Sequence, residues 1–109
     1  MTDEIVSLWR MHKQTPLPNV PSDSKGELWV LDEVIGGCVA YYVDTGRVLD
    51  ASRAVILEDC RVDLERLLPD LDGTAAAYFS RLRTLACLVL SAHVSGGGNR
   101  DTGGESLRS

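Results

Sequence analysis

Asp32 and Glu33, the cysteines Cys38, Cys60 and Cys87, and the histidines His12 and His93 are the side chains whose types could support acid–base, thiol or metal chemistry. Asp32 falls at the edge of an apolar helical stripe, where burial would raise a carboxyl pKa into the range useful to a general acid or base. Neighbouring residues on a helix point about 100° apart, so Asp32 and Glu33 do not make a carboxylate dyad by themselves. Solvation, or pairing with Arg81 or Arg83, is the expected fate of both. Cys38 and Cys60 lie on apolar stripes, where a thiol behaves as a small hydrophobe. Cys87 lies opposite the stripe of its helix, among Ser80, Arg83 and Ser91, and is expected to be partly exposed or covered by a partner.

An odd number of widely spaced cysteines, without Cys-x-x-Cys or a Cys/His cluster, suggests neither a disulfide framework nor a zinc module. Neither histidine has ligand spacing to a second His or a carboxylate, and His12 continues an apolar stripe as a packing residue. Ser95-Gly96-Gly97-Gly98 resembles a phosphate loop in composition only, because it lacks a preceding strand and a following Lys-Ser/Thr helix start. Gly-x-Ser-x-Gly, His-Glu-x-x-His and acidic calcium loops do not occur. The expectation is therefore a chain without metal or cofactor, and not an enzyme.

These side chains are carried on helices. Ile5, Leu8, Trp9 and His12 recur at helical spacing within Asp3–Lys13, behind a possible Thr2 or Asp3 cap. Pro16, Pro18 and Pro21 then force extended backbone, giving a strap over the core. Ser24-Lys25-Gly26-Glu27 reads as a capping box that opens the next helix. On it Leu28, Leu31, Ile35, Cys38, Val39 and Tyr42 share one stripe, with Val30, Val34 and Tyr41 beside it. The competing reading is a hairpin, Leu28–Ile35 and Cys38–Val43 about Gly36-Gly37. Apolar spacing of three and four favours the helix, and the glycine pair then implies close approach of another element.

Asp44-Thr45-Gly46 supplies a stop. Leu57, Cys60, Leu64, Leu67, Leu68 and Leu71 mark a third helix that ends near Pro69, and a short turn folds the fourth back against it. Thr74 to His93 should be the last helix, with Ala75, Tyr78, Leu82, Leu85, Ala86, Val89 and Ala92 on its buried face. The fold class is all-α: a small antiparallel bundle of three core helices plus a short N-terminal helix. Residues 1–94 form the helical domain. Residues 95–109, with five glycines and almost no large apolar side chain, are expected to be a disordered tail.

The chain has 109 residues, 44% of them hydrophobic and 25% charged, as in an ordinary single domain. Its longest apolar stretches, Val34–Val43 and Leu85–Leu90, fall short of the roughly 20 residues that cross a bilayer. The opening Met1-Thr2-Asp3-Glu4 lacks the positive charge and apolar run of a secretory signal, so a cytoplasmic location is expected. A net charge of −5 argues against a nucleic-acid partner.

With no catalytic cluster, the expected function is protein–protein interaction or regulation, as an adaptor, an antitoxin- or immunity-like module, or a self-associating chain. The expected interface combines a small apolar side of the second helix, Trp29, Gly36, Ala40 and Val43, with Val55 and Val62 on the third and Cys87 on the fourth. Trp29 and its neighbours require covering by the N-terminal helix and strap or by another chain. The alternative is a small-molecule or cofactor binder, or a minor enzyme. Its pocket would lie between the second and last helices and be lined by Asp32, Cys38, Tyr42 and Tyr78.

Overall fold

The computed structural model describes residues 4–97, with side chains as far as His93. Four helices run in order: α1 (Glu4–Gln14), α2 (Lys25–Asp44), α3 (Ala51–Leu67) and α4 (Gly73–Gly97), with 3₁₀ turns at Ser22–Ser24 and Leu68–Asp70. Among the described residues there is no strand, so the hairpin alternative for residues 28–43 gives way to continuous helix. No helix among the described residues is long and apolar enough to cross a membrane.

The core follows the periodicity closely. All six residues of the α2 stripe, Leu28, Leu31, Ile35, Cys38, Val39 and Tyr42, are buried. They meet Leu57, Leu64 and Leu67 of α3 and Tyr78, Phe79, Leu82, Leu85, Ala86 and Val89 of α4. Both α2 and α4 touch every other helix, while α1 lies mainly on α4 and secondarily on α2. The expected strap, residues 15–21, joins α1 to the 3₁₀ turn without regular structure, with Val20 packed against the core.

Chain reversals use backbone geometry more than side-chain caps. Ser24 is the N-cap of α2, but its side chain makes no capping bond. The capping box therefore does not form, and Glu27 turns to Arg66 of α3 instead. The preceding 3₁₀ turn delivers the chain in a near-helical conformation, with Ser24 at φ −113° and ψ 5°, rather than the extended one a box requires. At the other end, Gly46 adopts φ +76° and the Arg47 amide donates to the Tyr42 carbonyl at 2.7 Å, which closes the last turn of α2 as a Schellman motif.

Helix α4 extends through Gly97, beyond the expected boundary at residue 94. Ser95, Gly96 and Gly97 thus belong to the helix, because backbone bonding propagates into a weakly helical sequence at little extra cost. The rest of the expected tail, residues 98–109, lies outside the described residues.

Candidate functional site

Two places combine polar and apolar side chains in ways that bear on function. The first is a buried polar junction where α1, α2 and α4 meet. His12, near the C-terminal end of α1, is only 4% exposed. Its Nε2 lies 3.4 Å from Asp32 Oδ1 on α2, and the Tyr78 hydroxyl on α4 donates to the same oxygen at 3.0 Å. Arg81 Nε, one turn further along α4, donates to His12 Nδ1 at 3.3 Å.

Because a guanidinium can only donate, Nδ1 must accept. The neutral ring then carries its proton on Nε2 and donates to Asp32. The four residues form one chain of bonds, Arg81 to His12 to Asp32, with Tyr78 converging on the carboxylate. The His12 ring also lies 4.3 Å from that of Tyr78, centroid to centroid. Burial, and then the bond to Asp32, push the Tyr78 phenol well above its ordinary pKa of 10.0, since ionisation would place a second negative charge beside the carboxylate.

Trp9 packs one turn before His12, and a Cβ on Gly36 would meet its ring at 3.4 Å. Gly36 thus marks a close approach of α1, as the glycine pair implied. Gly37 has no such neighbour and faces open space.

Of the residues expected in an α2–α4 pocket, the fold brings Asp32 and Tyr78 together. It does not bring Cys38 and Tyr42 to them. Cys38 is buried toward α3 with its sulfur 4.0 Å from the Arg53 carbonyl, and burial holds its thiol above the usual pKa. Asp32 pairs with neither arginine directly, because Arg81 is occupied by His12, and Arg83 by Glu65 of α3 at 2.8 Å. His12 and Arg81 were the members not foreseen. A histidine continuing the Ile5–Leu8 stripe was the available signal, since a buried imidazole needs partners for both nitrogens.

The second place is the outer face of α3. Val55 is 61% exposed and Val62 52%, and Ile56 adds another large exposed aliphatic at 45%. Val55, Asp59, Val62 and Arg66 follow one another at steps of four, three and four, so they form one ridge opposite the buried Leu57–Leu64 line. Charges on one flank are already engaged: Arg61 pairs with Glu58 and Glu65. On the ridge, Asp59 is exposed and has no ion-pair partner among the described residues. Asp63, beside it, reaches Arg66 only at 4.0 Å.

The remaining expected interface residues are dispersed. Trp29 is 43% exposed under the Lys25 ammonium, Gly36 is covered by Trp9, and Ala40 and Val43 are half-buried, with Val43 packed on the core. Cys87 is half-buried and unpaired as a thiol, as are Cys60 and the buried Cys38. Among the described residues, no three His, Cys, Asp or Glu side chains gather as a metal site requires. The chain matches no protein-family model, no curated protein and no solved structure.

Proposed function

We propose that this protein is a non-catalytic binding module that docks another protein chain on the outer face of α3. The observation that carries the reading is the exposure of Val55 and Val62, two turns apart on one ridge of a helix whose opposite side already closes the core. Burying such side chains contributes roughly 1.5–3 kcal/mol each, enough for two of them to anchor a modest interface. The α2 side contributes less than its sequence suggests, because α1 occupies Gly36. Free thiols at Cys38, Cys60 and Cys87 suit a reducing compartment, which favours the cytoplasm.

Affinity capture from native lysate with wild type and Val55→Asp/Val62→Asp tests the reading. Partners held by wild type should be lost from the variant, and equal retention overturns the proposal. The alternative, a small-molecule site between α2 and α4, draws support from the Asp32–Tyr78 pair. A ligand at a hundred times its dissociation constant would stabilise the fold by about 2.7 kcal/mol, so a thermal-shift screen decides it.

A further inference from the structure

We infer that the occupant of the α3 face is a basic amphipathic helix from a different protein, rather than a second copy of this chain. The inference rests on the docking role proposed for α3 and adds the chemistry of the partner.

The pattern of the ridge carries it. Val55 and Val62 bracket Asp59, an exposed carboxylate with no ion-pair partner among the described residues, and Asp63 stands alongside with a single long pairing. Covering the valines removes water from Asp59, and a desolvated carboxylate must then be met by donors, most strongly by a hydrogen-bonding cation. The one cation on the ridge of a second copy, Arg66, is already held by Glu27 of its own chain. Parallel pairing in register, each valine on its own counterpart, sets Asp59 on Asp59. Antiparallel pairing of Val55 with Val62 of the other copy brings the two Asp59 carboxylates together beside the symmetry axis. Sliding parallel copies by seven residues sets Val62 on Val55 and Arg66 on Asp59, but Arg66 is already engaged by Glu27 and the contact is head-to-tail, so it does not close into a dimer.

A helix with aliphatic residues at steps of three and four, and Lys or Arg on the flank that meets Asp59 and Asp63, satisfies both demands. Helix-in-groove recognition reads such spacing directly. The acidic body, net −5, adds attraction for that partner and repulsion for another copy of itself.

The test uses two roughly 18-residue synthetic helices with leucine at three- and four-residue steps, one flanked by lysine and the other by glutamate, titrated by fluorescence anisotropy. The lysine peptide should bind wild type and lose about tenfold or more in affinity to Val55→Asp/Val62→Asp and to Asp59→Lys/Asp63→Lys. Glu33→Lys/Asp44→Lys makes the same change in net charge at exposed sites on α2, and should leave affinity unaltered. The glutamate peptide should bind only the Asp59→Lys/Asp63→Lys protein.

Equal weakening by the α2 pair, or none by the α3 aspartates, overturns the basic-helix inference and leaves α3 docking standing on its lysate test. Indifference to the valine substitutions overturns both. No binding of the lysine peptide to wild type overturns the inference. So does a wild-type dimer at micromolar concentration that Val55→Asp/Val62→Asp dissolves, since the occupant is then a second copy.

Discussion

Between α1, α2 and α4, and again along the outside of α3, carboxylates stand beside large apolar side chains, yet the two regions end in opposite states. At the first, Asp32 is enclosed by His12 and Tyr78 and every partner comes from within the chain. At the second, Asp59 lies between two exposed valines with no ion-pair partner among the described residues. The difference is the presence of a covering helix. α1 brings His12, which meets Asp32 with a donor and offers Arg81 an acceptor, so sealing the junction leaves no polar group stranded. Among the described residues nothing does this for α3. A buried polar group must be satisfied before folding is complete, whereas an exposed valine can wait for a partner.

Breaking the closed junction should give the largest effect. Asp32→Ala strands the buried His12 N–H and Tyr78 hydroxyl beside a carboxylate position that is a quarter exposed, and should lower stability by about 1–3 kcal/mol in urea denaturation. Asp32→Asn keeps an acceptor oxygen and should cost clearly less. Equal losses in the two variants would show that the charge, and not the acceptor, matters.

Tyr78→Phe should come next, toward the lower end of the Asp32→Ala range, since it removes a hydrogen bond to a charged acceptor. It also has a pH signature. The folded-state pKa of Tyr78 is raised, so its contribution is fully present below the ordinary value of 10.0 and is lost as pH rises from there toward the folded value. Wild type should lose stability above about pH 10 more steeply than Tyr78→Phe.

A smaller effect separates the two adjacent glycines. Gly37→Ala should stabilise by about 1 kcal/mol, because Gly37 sits mid-helix facing open space. Gly36→Ala should gain less, since its new methyl meets the Trp9 ring. Equal gains would mean that α1 adapts freely and is not closely seated.

On α3 the expected change in stability is smallest. Val55→Asp and Val62→Asp should each shift it by about 0.5 kcal/mol or less, as read by thermal melting. A larger loss would move these valines from the open region to the closed one.

How much could be read in advance varies by region for the same reason. The α2 stripe, the α3 leucines and the exposed Val55–Val62 line were legible, because each depends on spacing within one helix. The polar junction was only half legible. Asp32 and Tyr78 were placed together, but His12 joins Asp32 from twenty residues away and Arg81 reaches His12 from sixty-nine, across different helices. Cys38 and Tyr42 were set beside them because they share the α2 stripe. Yet that stripe is wide enough to serve two neighbours, and Cys38 turns to α3. The capping box failed similarly: its local pattern was present, but Arg66 of α3 took Glu27.

By itself the sequence determined the four helices, their buried faces and the glycines at which the chain bends or admits a neighbour, since backbone bonding and side-chain periodicity act over a few residues. Only the tertiary structure decided which polar groups share a proton and which apolar face stays uncovered. Those outcomes depend on the angle and depth at which one helix settles on another, and that is set by packing of the whole core.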